Sequence, residues 1–514
     1  MRWLLVVVTA LGLGAAISTG SPRTLRTGDD LQRALNEAKP GDTILLERGA
    51  TFTGNFVLPA GGPASDSRVI TLRTAGDDGM PAEGERISPD AAGPLAKIHS
   101  PNGSPALATK PGARGWRIAL VEFDANRNGA GDIIALGDGS AAQHSLDQVP
   151  TDITLDRLYV HGDPERGQKR GIALNAARTT IRGCYVSDMK AIGQDSQAIG
   201  GWNGPGPYVI EGNVLQAAGE NLMFGGADPS IPDLVTTDLT IRDNILSKPM
   251  EWRASSDPGA PAAGKRWQIK NLFELKNARK VVVEHNVMER TWQQAQTGYA
   301  VLFTVRDQDG RCPWCQVEDV QFRSNVIVDV AAGIQILGTD PNHPSRQTNH
   351  IVVRDNVFDG IDKKAWGGDG YFLLLTDAPR DVTIDHNTII QRASGGIIKI
   401  GHGTVEGLTF TNNLVMHGDY GIIGRDHGVG QDSIAFYLPG ATIAKNVIAG
   451  GKASQYPQAN FFPSIDAFRR GFAAFEKGDY RLANGSEWRK AGTDGRDLGA
   501  DLTQIPARDG KERN

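Results

Sequence analysis

The sequence predicts an all-β solenoid, a stack of short parallel strands, and three observations carry that prediction. One phrase recurs eight times from the middle of the chain towards its end: an alternating apolar run, an Asn, then one or two more apolar residues. The phrases centre on Asn213, Asn244, Asn286, Asn325, Asn356, Asn387, Asn413 and Asn446. The intervals between these asparagines run from 26 to 42 residues, so a constant unit is separated by variable material, as insertions in the loops of a stacked array would produce. Finally, 63 glycines against 7% aromatic residues fit turn-rich short strands better than helices.

Strict alternation such as Val281-Val282-Val283-Glu284 marks a strand. An Asn after a strand marks a sharp turn, because Asn tolerates the left-handed region better than other residues bearing a Cβ. Each coil is therefore expected to turn at its Asn. If the turns stack about 4.8 Å apart, each amide donates to one neighbour and accepts from the other, forming a buried ladder.

This pattern resembles that of the pectin-lyase-like superfamily of right-handed parallel β-helix proteins, over nearly the whole chain after its first residues. The resemblance implies a right-handed parallel β-helix solenoid with an N-terminal capping helix and a C-terminal tail packed on the stack. It leaves the activity open, since the superfamily includes lyases, hydrolases, epimerases, adhesins and tailspikes.

Residues 1–20 stand apart. Met1-Arg2 is a short positive start, Trp3 to Ile17 is apolar, and the small residues Ala15, Ala16, Ser18 and Gly20 follow the pattern of a secretory signal cleaved after Ala16 or Gly20. The mature protein is expected to be exported to the periplasm or the exterior, to have no membrane span and to be a monomer. A net charge of −5 lacks the basic excess of nucleic-acid binding. Of three Cys, Cys184 falls at the Asn position of an earlier coil, as a buried free thiol. Cys312-Pro313-Trp314-Cys315 in an exported chain reads as a local disulfide.

Along the chain, Asp29-Asp30 precedes a short amphipathic helix from Leu31 to Ala38, the expected cap within residues 21–42. Val69 to Arg73, Trp116 to Phe123 and Ile153 to Val160 read as early coils in which Phe123 and Leu158 take the ladder position, and residues 76–115 read as a long excursion. The β-helix is expected over 21–450, a capping segment over 451–501 where the Asn pattern fails, and a disordered tail over 502–514.

Each later coil carries a second strand upstream of its Asn phrase, among them Asn271 to Lys276, Ala300 to Arg306, Gly333 to Leu337 and Ile397 to Ile400. If Phe273, Leu275, Val301 and Phe303 face the core, then Lys270, Glu274, Lys276, Thr304, Arg306, Gln335 and Lys399 face out as one polar row. A solvated strand face also carries charge, and a register slip of one residue would turn the row inward.

For an acidic polysaccharide, elimination needs a cation at the uronate carboxylate and a base for the adjacent proton. Lys, with an ordinary pKa of about 10.4, serves as base only where neighbouring positive charge depresses it. Lys276, Arg306 and Lys399, with Glu274, are the candidate catalytic cluster. Glu220, Glu274, Asp307 and Asp377 are the carboxylates that a hydrolase would use. Asp307 and Asp309, with Glu318 or Asp319, form a candidate calcium loop, Ca²⁺ being the only cofactor in view. Gln335, His402, and Trp252 and Trp267 beside the loop Ser255 to Gly264 are candidate sugar contacts. His402 sits in a Gly-His-Gly like that of polygalacturonase-type hydrolases, but that family's Asn-Thr-Asp and Arg-Ile-Lys are missing, and the pectate lyase motifs are not recognisable. The leading expectation is a polysaccharide lyase acting on a uronate-containing glycan. The alternatives are a β-helix glycoside hydrolase and a non-catalytic carbohydrate-binding or adhesion β-helix.

Overall fold

The computed structural model describes residues 23–60, 67–254 and 264–506. The expected signal segment, most of the loop Ser255 to Gly264, and the chain from residue 507 onward lie outside the described residues.

Three long parallel sheets of 14, 13 and 12 strands run the length of the stack, and each coil contributes one strand to each sheet in turn. The first sheet runs from Arg23–Leu25 to Thr442–Ala444 and holds the alternating runs that precede each Asn. The second follows the Asn turn, from Thr51–Thr53 to Val447–Ala449. The third, from Phe56–Leu58 to Ile422–Gly424, holds the other strand of each coil. Alternation sends one parity inward, and rows such as Leu222, Phe273, Val301, Ile334, Leu373 and Ile398 are fully buried. This is the right-handed parallel β-helix.

The asparagine ladder is continuous. Each Asn Nδ2 donates to the Oδ1 of the next, as Asn213 does to Asn244 at 2.9 Å and Asn325 to Asn356 at 3.0 Å. The same Oδ1 also accepts the backbone N–H of the preceding Asn, so two buried donors are satisfied per rung. Cys184 heads the ladder by donating its backbone N–H to Asn213 Oδ1 at 2.8 Å, and its buried thiol is pushed up to about 12 by desolvation.

The structure corrects the reason for the turn. None of the eight asparagines has a positive φ; the residue before each one does, from Gly212 and Asp243 to Asn412 and Lys445, with φ between 50° and 66°. Asn is there for its amide, and its predecessor absorbs the left-handed conformation. The ladder also continues past Asn446, whose Nδ2 donates to Asn460 Oδ1 at 3.0 Å. In the early coils the ladder place is filled by Leu158, as expected, but by Val121 rather than Phe123, because Glu122 aligns with Tyr159. Residues 76–115 are not one excursion: Ala96–His99 and Leu107–Thr109 are strands of the second and third sheets.

The helix Leu31–Glu37 caps the open end. Asp30 accepts the Arg33 N–H, Leu31 and Leu35 are buried, and the Gln32 amide bonds both the C=O and the N–H of Val57 on the edge strand. At the other end, Phe468, Phe472, Tyr480, Trp488 and Leu498 pack on Val326, Val357, Leu414 and Val447 of the second sheet. Ile505 is buried in the same cluster, so ordered chain extends beyond the expected boundary at 501.

Candidate active site

The floor of the site is the outer face of the third sheet. Its register aligns Gly200, Met223, Glu274, Leu302, Gln335, Leu374 and Lys399 in one axial row. Glu274 lies in that row, and Glu220 starts the strand one coil earlier, aligned with Gln197; both carboxylates are buried.

Glu274 Oε1 receives Lys276 Nζ at 2.8 Å and Thr304 Oγ1 at 2.9 Å, and its Oε2 receives Asn271 Nδ2 at 2.9 Å. Burial works against its charge, but Lys276 and these hydrogen bonds outweigh burial and hold the carboxyl below the usual range. Glu220, one coil earlier, receives Gln197 Nε2 at 2.8 Å and Lys270 Nζ at 3.2 Å. Burial and then the Glu274 charge push the Glu220 carboxyl up, against the opposing Lys270. The two carboxyls are thus driven apart, a property that separates acid from base among paired carboxylates.

The groups facing solvent are cations seated on those acids. Lys276 is 18% exposed over Glu274, and Lys270 bridges Glu220 and Asp195. Burial opposes the Lys270 charge, but its two carboxylates outweigh burial and raise it. On the next coil Arg306 pairs with buried Asp340 at 2.8 Å, and its backbone N–H donates to Lys276 O at 3.1 Å. Towards the N-terminal end, Arg170 joins Gln197 to Asp132 and stacks on Trp202.

Beneath the floor lies Lys248, fully buried. Its Nζ sits 2.8 to 3.0 Å from five oxygens: the carbonyls of Ala217, Ala218, Gly219 and Asn271, and Asn221 Oδ1. Burial pulls this group down to about 7, with the Glu220 charge opposing. An all-acceptor cage fits the ammonium form, which has donors and no acceptor.

The expected site residues divide accordingly. Glu274, Lys276 and Arg306 do meet on adjacent coils. Lys399 does not join them, because four coil steps of about 4.8 Å place it roughly 19 Å along the stack, where it pairs with Asp369 at 2.9 Å. The expected cluster of cations is also absent from the geometry, since Lys276, Arg306 and Lys399 each sit on a carboxylate of their own. Gln335 lies half-buried between Leu302 and Leu374. His402 is exposed in the Lys399 coil, with its ring at 2.8 Å from Arg425.

Trp252 and Trp267 offer no face to a sugar. Both are buried with Ala218, Ile269 and Trp292, and they hold the Lys190 ammonium at 5.0 and 5.3 Å from their rings. The calcium loop is likewise corrected. Buried Asp307 accepts the Cys312 N–H, Asp309 points outward to Arg311, and Asp319 pairs with His350 on the first sheet. Asp228 orders the loop instead, accepting the backbone N–H groups of Gln308, Asp309 and Arg311. Among the described residues, no group of three or more His, Cys, Asp or Glu is arranged to hold a metal ion. Cys312 and Cys315 form the expected disulfide, with Cα atoms 5.3 Å apart. Asp377 contacts Thr376 and the His402 backbone, away from Glu274.

Lys248, Gln197, Asp340 and Asp369 belong to these networks and were not singled out from sequence. The coil Gln197–Gly201 between Arg170 and Glu220 has a strand too Gly-rich and weakly alternating to announce itself.

No protein-family model matches the sequence, and a search of curated proteins returns no match. Solved structures do match. The PL6 family alginate lyase AlyGC superposes with a TM-score of 0.51 at 14% identity, over 96% of this chain and 60% of that one. A mannuronic acid specific family 6 polysaccharide lyase from human gut microbiota gives 0.48 at 13% identity, over 84% and 88% of the two chains. The catalytic unit of a GH87 α-1,3-glucanase from Streptomyces thermodiastaticus gives 0.44 at 12% identity, over 90% and 72%. This chain therefore spans three fifths of AlyGC. Among the described residues, no helix is long and apolar enough to cross a membrane. With its three parallel sheets and its likeness to AlyGC, the chain is a right-handed parallel β-helix protein.

Proposed function

We propose that the protein is an exported, monomeric polysaccharide lyase that binds a uronate-containing glycan along the third sheet. The observation that carries the reading is the pairing of cations that just reach solvent with buried carboxylates on adjacent coils, Lys270 and Lys276 over Glu220 and Glu274, and Arg306 over Asp340. Such a strip neutralises a uronate carboxylate, and the buried acids keep the cations in place. Arg306 binds the carboxylate. Lys276, once its ammonium proton has left to solvent, takes the proton from the carbon beside that carboxylate. The bond to the glycosidic oxygen breaks as the double bond forms, and Lys276 returns the proton to the departing oxygen. The likeness of the fold to the alginate lyase AlyGC supports a polysaccharide ligand.

A second reading is favoured by one observation. Glu220 and Glu274, with carboxyls driven in opposite directions, are the pair a glycoside hydrolase would use as acid and base.

The test is incubation with alginate, polygalacturonate and glycosaminoglycans, with and without Ca²⁺, following absorbance from unsaturated ends and separately the release of reducing ends. The lyase reading expects unsaturated ends, lost in Arg306→Ala and retained in Lys169→Ala, which lies coils away. Reducing ends without unsaturation would move the assignment to hydrolysis. Glycan binding with neither product would leave a non-catalytic binding or adhesion protein.

A further inference from the structure

Beyond Gln335 the proposed glycan groove on the third sheet changes character, from buried ion pairs to tyrosines. Tyr299 aligns with Ala332, and the register carried back from Leu373 and Ile398 aligns Ala332 with Tyr371, Gly396 and Tyr420. Tyrosine thus alternates with a very small residue along one axial row. The gap at Gly396 is required, because a Cβ there would stand 2.6 Å from the Tyr371 ring. It lets Tyr371 and Tyr420 lie nearly parallel, 17° apart, with ring centroids at 6.4 Å.

The side chains around them are polarised. Asp369 accepts the Tyr299 hydroxyl at 3.1 Å and Lys399 Nζ at 2.9 Å, and Lys399 lies 5.6 Å from the Tyr371 ring centroid. An ammonium has three donors, and Asp369 occupies one. The Lys399 side chain is 45% exposed and Tyr420 is 47% exposed, unlike the buried acids near Lys276. An open aromatic face beside a fixed, partly exposed ammonium suits a ring with an apolar C–H face and a carboxylate at its edge, as in a uronate residue.

We propose that Tyr420, backed by the buried ring of Tyr371, and Lys399 form a distal subsite that stacks one uronate ring on Tyr420 and pairs its carboxylate, four to five coils from Lys276. The inference rests on the groove being a uronate-glycan site. A coil rise of about 4.8 Å is close to the length of one sugar in an extended chain, so a glycan must hold about five residues to reach from Lys276 to Tyr420. Lys399 is then a residue for chain length and charge, apart from the proton transfer.

The test uses sized oligouronates from alginate and from polygalacturonate, measured for binding by calorimetry and for cleavage by unsaturated-end absorbance. Tyr420→Ala is expected to weaken binding of octamers roughly three- to tenfold while changing trimers little, with Tyr420→Phe restoring the octamer affinity. Lys399→Met is expected to act in the same length-dependent way. Equal losses for trimer and octamer, or no loss for the octamer in folded Tyr420→Ala, overturn the subsite even if cleavage persists. If the wild-type protein neither binds nor cleaves any oligouronate, the reading of the groove and the subsite fall together.

Discussion

Lys276 Nζ lies 2.8 Å from the Glu274 carboxylate, and the acid is the buried member of the pair while the base reaches solvent. Removing the cation alone strands a charge in the interior, at a cost of about 3 to 5 kcal/mol. Lys276→Met should therefore lower stability as well as activity, and Lys276→Met combined with Glu274→Gln should recover much of the loss. Denaturant unfolding of the two single variants and the double variant measures the coupling; strictly additive effects would show that the two groups do not support each other.

Acidity separates the two glutamates. Glu220 has its carboxyl raised in the fold, so its contribution to stability is full below the ordinary value of 4.5 and is lost as pH rises through the raised value. Glu274 has its carboxyl lowered, so its contribution is present above 4.5 and is lost as pH falls through the lowered value. Glu220→Gln should flatten the decline on the alkaline side of 4.5 and leave the acid limb in place. Unfolding free energies measured from acid to neutral pH test this, and an unchanged alkaline slope in Glu220→Gln would contradict it.

Lys248 should be intolerant of an uncharged isostere. In Lys248→Met, five oxygens lose a shared donor, at a cost of at least about 3 kcal/mol. In Lys248→Ala the emptied cage is the right size and polarity for ammonium or potassium, either of which should raise the melting temperature of that variant more than sodium does. A Lys248→Met protein within about 1 kcal/mol of wild type would mean that the cage contributes little.

Trp252→Ala should act on stability and not on glycan recognition. Truncating a buried Trp costs about 3 to 5 kcal/mol and would loosen Lys190. Glycan affinity of the folded fraction should stay unchanged, and a loss confined to affinity would return Trp252 to the binding face.

Position along the ladder should set the cost of breaking it. Asn356→Ala removes a buried amide that accepts from Asn325 and donates to Asn387 and Phe322, an expected loss of about 2 to 4 kcal/mol. Asn460→Ala, at the half-buried last rung, should cost less. Equal melting shifts in the two variants would argue against a cooperative ladder.

Much of this was legible in the sequence. Period-two alternation identified inner and outer faces, and the outward row through Glu274, Gln335 and Lys399 holds in the sheet register. Distance along the stack was less legible. The Asn phrases count the coils between Lys276 and Lys399, but only the axial rise of about 4.8 Å per coil turns that count into a separation too long for the two to share one cluster. The strand Gln197–Gly201 is hidden instead by its glycines and weak alternation, and with it the link from Arg170 to Glu220.

The sequence by itself determined a stacked β-helix, because strand alternation and a buried amide ladder are local patterns repeated with one physical purpose. It also determined the Cys312–Cys315 link, since a three-residue separation keeps two cysteines within bonding reach. Only the tertiary structure decided which charges are buried, since burial there comes with side chains of neighbouring coils that no local pattern aligns: Thr304 on Glu274, and Gln197 and Lys270 on Glu220. In the fold Glu220 and Glu274 lie out of water beneath Lys270 and Lys276, Trp252 and Trp267 are turned inward, and Lys399 at the far end of the Glu274 row stays open, as does Tyr420 in the tyrosine row beside it.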